Sequence, residues 1–215
     1  MSITAIVLAA GLSKRMGTDK LLLPVLGRPM LLHTISLVES LNFTQRILIC
    51  QAELANTVIE NKWVNIVNQN HECTQFIEDV RENPLTNPWN IVININPEFG
   101  QSHSVTLGVK SSFPESTLIF FTADQPFLDA DTVRSILEAN DGKHIVCPAD
   151  HSGFPRSPNL FPPSFRDDLL ALSGDQGGRT LRQMHPERTK MIAIQNEAAL
   201  FDIDTPETYE KIKRL

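Results

Sequence analysis

The chain has 215 residues, of which 41% are hydrophobic and 20% charged, the size and apolar content of one globular domain spanning 1-215 around a well-buried core. A formal net charge of -6 argues against nucleic acid or an anionic membrane as a general partner, since both reward clustered Lys and Arg, so any anionic ligand must be met by a local site. Three widely spaced cysteines, Cys50, Cys73 and Cys147, form no C-x-x-C pair, which suits a reducing, cytoplasmic setting and thiols that are buried and inert.

The amino-terminal run Met1 to Leu8 lacks a basic region and a cleavage motif, and it is of strand rather than membrane length. In chain order, Ile3 to Leu8, Arg46 to Cys50, Asn90 to Asn94, Thr117 to Thr122 and His144 to Cys147 are β-branched runs that read as buried strands. Helical spacing fills the gaps. One predicted helix opens at Pro29 and carries Leu31, Ile35, Val38 and Leu41 on one face; others follow Gln101 and Asp129. The stretch from His71 to Pro88 is a polar insertion with turn signals at Asn83-Pro84 and Asn87-Pro88, read as a surface excursion.

Strands alternating with helices predict an α/β fold with a mostly parallel sheet covered on both faces, because a parallel connection needs a crossover long enough to return. Ligands in such sheets sit beyond the carboxyl ends of the strands. That directs attention to Ala9 onward, Asn96 onward, Ala123 onward and the segment after Phe201.

Each of these places carries unusual residues. After the first strand comes Leu8-Ala9-Ala10-Gly11-Leu12-Ser13-Lys14-Arg15-Met16-Gly17-Thr18-Asp19-Lys20, a small-residue turn whose backbone N–H groups can approach a phosphate, followed by Arg15 and Lys20 to neutralise it. Neither G-x-G-x-x-G nor G-x-x-x-x-G-K-[ST] fits this loop. A solvated basic turn is the competing reading. Asp124, in Thr122-Ala123-Asp124-Gln125-Pro126, stands where a strand delivers a carboxylate to the ligand edge, a hard oxygen donor for Mg2+. Asp202 and Asp204 alternate along Phe201-Asp202-Ile203-Asp204-Thr205-Pro206 and so point to one side, unless Asp204 or Thr205 caps the helix that Pro206 opens. Asn96-Pro97-Glu98-Phe99-Gly100-Gln101-Ser102 again leads from a strand into a helix whose free N–H groups favour polar or anionic groups, with Ser102 either a ligand contact or a helix cap.

Taken together, the first loop and the segment Lys20 to Met30, with its leucine-proline turn and Gly27-Arg28-Pro29, resemble the MobA-like nucleotidyltransferases. The family pattern is L-A-[AG]-G-x-S-x-R-M-G-x-x-K, then G-x-P at a helix start. Further matches are the D-x-P at Asp124, the D-x-D-T-P-E-x-Y from Asp202, the Asn96 to Ser102 element, and Gly174-Asp175-Gln176-Gly177-Gly178-Arg179 against G-D-x-G-[AG]-R. The chain departs from the pattern at Arg156-Ser157-Pro158, where G-H-P is usual.

The resemblance implies a three-layer α/β/α Rossmann-like nucleotide-diphospho-sugar transferase fold and a cytoplasmic, Mg2+-dependent nucleotidyltransferase. Nucleotide contacts would come from Leu8, Ala9, Ala10, Gly11, Arg15, Lys20, Asn96, Gly100 and Ser102. Asp124, Asp202 and Asp204 would face the metal, with Arg15, Lys20 and Asp124 catalytic and Pro158, Gly177 and Arg179 on the acceptor side. Alanine rather than glycine at position 10 is similar to the cytidylyltransferase branch, which implies CTP and molybdenum-molybdopterin as substrates and a molybdenum hydroxylase as the recipient of the product. Two alternatives share these residues: a nucleotidyltransferase that uses GTP or acts on a sugar phosphate or other phosphorylated alcohol, and a non-catalytic molybdopterin carrier.

Overall fold

The structure is a computed structural model that describes residues 2–13, 16–17, 19–64 and 88–212. The polar insertion, apart from Pro88, lies outside the described residues, as do Lys14, Arg15 and Cys73.

The predicted strands form as β1 (Ile3–Ala9), β4 (Gln45–Cys50), β5 (Trp89–Ile93), β6 (Thr117–Thr122) and β7 (Ile145–Ala149). Two short strands, β2 (Pro24–Val25) and β3 (Arg28–Pro29), make a hairpin of their own. Its two-residue turn has positive φ at both Leu26 and Gly27, the backbone that matches the twist of paired strands. Two further strands escape the sequence pattern: β8 (Asn159–Phe161), too short to show a period, and β9 (Thr189–Ala193), an edge strand with much of its surface exposed. The seven-stranded sheet runs β5-β4-β1-β6-β8-β7-β9. All its pairs are parallel except those that β8 makes with β6 and β7.

Helices α1 (Met30–Glu39), α2 (Ala52–Glu60), α4 (Ala130–Glu138) and α7 (Pro206–Ile212) cover one face. Their Leu31, Ile35, Val38, Leu54, Val58, Val133, Ile136 and Tyr209 pack with Val7, Leu48 and Phe121 of the strands. Helices α3 (Gln101–Ser111), α5 (Arg166–Leu170) and α6 (Gly178–Met184) cover the other, where Val105, Val109, Leu169 and Leu181 meet Ile6, Ile49, Phe120 and Phe161. Odd and even positions of β1 therefore serve different cores, as alternation along a strand requires. The three-layer α/β/α fold with a mostly parallel sheet is the one expected.

Helix α1 opens at Met30, beside Pro29 as expected, with Pro29 itself extended (φ -50, ψ 139), paired with Pro24 and serving as the N-cap. One local expectation needs correction. Ser102 does not cap α3. That position belongs to Gly100 (φ 87), and Ser102 sits one residue inside the helix, buried, with its N–H donated to the Gly174 carbonyl at 3.0 Å. The buried Cys50 and Cys147 are unpaired, and burial pushes the Cys50 thiol up to about 12, so the inert reading holds for both. Among the described residues no helix is long and apolar enough to cross a membrane.

The contact between α3 and the sheet depends on a missing side chain. A Cβ at Gly108 would lie 2.8 Å from Cγ2 of Ile6, and overpacking of this kind costs about 1–3 kcal/mol. Gly108→Ala is expected to lower the free energy of unfolding by that amount in a urea titration, with an unchanged slope.

Candidate functional site

Strands β1 and β6 lie side by side in register, Leu8 opposite Thr122, so the segments that leave their carboxyl ends emerge together. The Ala123 N–H donates to the Leu8 carbonyl at 3.2 Å, and the Ile203 N–H to the Asp124 carbonyl at 3.0 Å. Three chain segments, beginning at Ala10, Ala123 and Phe201, are thereby stitched along one edge.

Lys20 is brought to this edge by a single 3-10 turn, Lys20–Leu22, which Asp19 caps by accepting the Leu21 N–H. The β2–β3 hairpin follows at once and is anchored in turn. Tyr209 of α7 donates its hydroxyl to the Pro24 carbonyl at 2.9 Å, a ring nitrogen of His33 in α1 lies 2.8 Å from the Val25 carbonyl, and the Met30 N–H donates to Leu23. The lysine stem therefore leaves a braced base.

Its ammonium lies 2.7 Å from Asp124 Oδ2, 2.8 Å from Asp204 Oδ1 and 3.1 Å from the Ile203 carbonyl. The side chains of Lys20 and Asp124 are only 14% and 20% exposed, so this cluster is shielded from bulk water more than a surface ion pair is. Burial alone would lower the Lys20 pKa, but the two carboxylates outweigh it and raise the value. Asp124 keeps its second oxygen, Oδ1, buried and without a hydrogen-bond partner. Asp202, on the far side of the buried Ile203, has its carboxyl pushed up to about 6 by burial first and then by Asp124 and Asp204, with Gln125 and Arg156 partly opposing. The cap of α7 is Thr205, whose hydroxyl accepts the Thr208 N–H, so helix capping does not account for Asp204.

A cleft of about 480 Å³ opens above this cluster. One wall is Leu8, Ala9, Ala10, Gly11, Leu12 and Ser13, with Met16. Gln51 at the end of β4 steadies that wall by donating its amide to the Ala10 and Gly11 carbonyls, 3.3 Å each. The opposite wall is Pro97, Glu98, Gly100, Gln101 and Ser104. Ser104 is presented by Asn94, whose amide donates to its hydroxyl at 3.0 Å while its own Oδ1 accepts the Asn96 N–H.

Of the predicted residues, the structure thus gathers Leu8, Ala9, Ala10, Gly11, Lys20, Gly100, Asp124 and Asp204 around one cleft, with Asp202 beside it. Arg15 lies outside the described residues. Asn96 and Ser102 are not on the cleft wall, their N–H groups being used within the protein; the second serine of the same element, Ser104, takes that place. Among the described residues no three His, Cys, Asp or Glu side chains converge as a ready ligand set, and Lys20 pairs with both Asp124 and Asp204.

The Gly174 to Gly178 loop lies directly against the α3 wall. A Cβ on Gly100 would collide with the Gly174 backbone, and one on Gly177 with the Gln101 amide. Asp175 of this loop reaches the cleft, a contact that the sequence motif contained and the residue-by-residue reading passed over. Gly177 is buried and Arg179 exposed at the start of α6, while Pro158 is buried just before β8. Arg156, in the stretch that departs from the family pattern, is held by Asp150 through Nε at 2.9 Å and Nη2 at 2.8 Å.

The chain matches the family described as MobA-like NTP transferase domain over residues 5–189. It is 26% identical over 213 residues to the purine catabolism protein PucB of Bacillus subtilis, an alignment covering 97% of this chain and 95% of that protein. Over 49 residues, 23% of this chain and 26% of the relative, it is 47% identical to a probable molybdenum cofactor guanylyltransferase of Pyrococcus horikoshii. Among solved structures, Rv0371c of Mycobacterium tuberculosis is similar with a TM-score of 0.74 at 22% identity, covering 100% of both chains. The manganese complex of Rv0371c gives 0.71 at 21% identity over 99% of this chain and 98% of that one. These structural likenesses carry the fold.

The raised Asp202 carboxyl makes the stability of the fold depend on pH. The folded protein holds this proton up to about pH 6, whereas the unfolded chain releases it near pH 4. Between those values the unfolded state ionises first, so stability falls as pH rises from 4 to 6, by roughly 2–3 kcal/mol at most. In metal-free buffer, Asp202→Asn is expected to remove that decline, matching the unsubstituted protein below pH 4 and exceeding its melting temperature above pH 6.5.

Proposed function

The chain belongs to the MobA-like NTP transferase domain family and is a nucleotidyltransferase of that family; from this premise we propose that it transfers CMP from CTP to molybdenum-molybdopterin cofactor, with Mg2+, releasing pyrophosphate. The observation that carries the reading is the Lys20, Asp124 and Asp204 cluster on the floor of the cleft between the Ala10 loop and the start of α3. A cation at the cleft floor and carboxylates able to hold a metal are what nucleotidyl transfer needs there. A pure carrier has no use for them.

In the proposed reaction an oxygen of the acceptor's terminal phosphate attacks the α-phosphorus in line. A P–O bond forms to the acceptor, the bond to the β-phosphate bridging oxygen breaks, and pyrophosphate departs. The loop from Leu8 to Gly11 and the α3 wall hold the nucleotide, and Lys20, with Arg15, offsets charge on the leaving group. The residues fit a divalent ion. Asp124 Oδ1 is buried with no partner, and Asp204 or Asp202 supplies a second hard oxygen, the one or two protein carboxylates Mg2+ usually takes. When bound, the ion supplies neutralisation of phosphate charge. Pro158, Gly177 and Arg179 would border the acceptor, next to the Asp175 loop.

The preference for CTP rests on Ala10, an alanine in the loop that lines the cleft. One methyl discriminates by about 10- to 200-fold.

The deciding experiment is pyrophosphate release with Mg2+, molybdenum-loaded molybdopterin and CTP, GTP, ATP or UTP in turn. Acceptor-dependent release with CTP alone is the expected result. Release with GTP would keep the chemistry and move the chain to the guanylyl branch, and release only with a sugar phosphate would replace the acceptor. In the same assay Lys20→Ala should cost about 3 kcal/mol of activation free energy, roughly a hundredfold in turnover. Asp124→Ala should abolish metal-dependent turnover in a folded protein, and retained turnover would remove Asp124 from the site.

A further inference from the structure

A lysine ammonium has three N–H donors, and Lys20 faces three protein oxygens: Asp124 Oδ2 at 2.7 Å, Asp204 Oδ1 at 2.8 Å and the Ile203 carbonyl at 3.1 Å. Its hydrogen-bonding capacity is therefore filled before any ligand arrives. The assignment of Lys20 to a triphosphate and of Asp124 and Asp204 to a metal cannot both be met from this arrangement. For the lysine to donate to phosphate it must release an aspartate, and for the aspartates to ligate a cation they must release the lysine.

We propose that Lys20 is a built-in counter-ion that occupies the cation position between Asp124 and Asp204 in the nucleotide-free protein, so that divalent metal is excluded until a triphosphate draws the ammonium away. The exchange is economical in charge. An ammonium leaves two carboxylates as a divalent ion reaches them, and the displaced ammonium moves to an anion brought by the same ligand. By linkage, whatever factor the triphosphate contributes to metal affinity the metal returns to triphosphate affinity. Neither partner then binds well alone. The buried, unpartnered Asp124 Oδ1 marks the free protein as short of positive charge at this point, and the braced hairpin beyond Lys20 lets the side chain swing while its backbone stays in place.

This inference rests on the reading of the cleft as the nucleotidyl-transfer site, and its test uses neither CTP nor acceptor. Mn2+ binding is titrated by electron paramagnetic resonance on nucleotide-free protein, comparing the unsubstituted chain with Lys20→Met and Lys20→Gln, with thermal melting as the control for folding. Both variants should bind Mn2+ at least tenfold tighter than the unsubstituted protein, and Mn2+ should raise their melting temperatures by more. Adding Asp124→Asn to Lys20→Met should erase the gain. Equal or weaker binding in the lysine variants would overturn the proposal, as would a gain that survives Asp124→Asn. A failure of CTP in the pyrophosphate assay would leave this result standing, so the two readings fall separately.

Discussion

The Lys20 ammonium is shared by two carboxylates that lie 104 and 184 residues further along the chain, and much of the fold serves to bring those three groups together. Adjacent parallel strands are needed first, since only a register with Leu8 opposite Thr122 places the loop after β1 beside Asp124. The Phe201 to Asp204 segment must then run along the same edge, which the Ile203 to Asp124 backbone bond secures. Removing charges from water is expensive, and an ion pair recovers that cost only with good geometry. Here the pairs at 2.7 and 2.8 Å prevail over burial, as the raised Lys20 pKa records.

Around this floor the two long walls of the cleft are supported from behind by side chains that need not touch a ligand. Gln51 holds the Ala10 and Gly11 carbonyls, and Asn94 holds Ser104. Both supports stand at the carboxyl ends of neighbouring strands, β4 and β5, so the sheet itself sets their spacing. The Gly174 to Gly178 loop is tied to the α3 wall by glycine contacts at Gly100 and Gly177 that admit no Cβ. The two segments therefore pack closely, with no room for a side chain at either glycine.

How much of this could be read from the amino acids follows from the range over which each signal acts. Buried parallel strands announce themselves locally by continuous apolar runs, and all five were placed. The rule that ligands gather beyond strand ends then selected Ala9, Ala123, Asn96 and Phe201 as the places to search, and the side chains after them meet in one cleft. Strand β8 gave no such signal because three residues carry no period, and its antiparallel pairing with β6 depends on a partner some forty residues away. The family element points to Ser102, but with Gly100 at the N-cap the first turn of α3 brings Gln101 and the buried Ser104 to the cleft instead. Pairing between Lys20 and the aspartates was out of reach for a further reason. Spacing along a chain says which groups approach the ligand edge, but not which of them neutralise one another before a ligand comes.

The excess of carboxylate at this floor has opposite consequences in the two states of the protein. Without a ligand, Asp124 and Asp204 share the Lys20 ammonium, while Asp202 feels burial and the charge of both aspartates with Arg156 opposing, and its carboxyl is raised. Replacing Asp202 by a neutral residue relieves that repulsion in the free chain, whereas replacing Asp124 or Asp204 also takes a partner from Lys20. On the proposed reading, a cation in place would make the same carboxylates ligands or near neighbours of positive charge, turning the repulsion on Asp202 into attraction for metal and nucleotide. Sites that must stabilise charge brought by a substrate are commonly strained in its absence. The acidic floor of this cleft therefore makes sense as a binding device rather than as a contribution to folding, and the fold around it has to be stable enough to tolerate it.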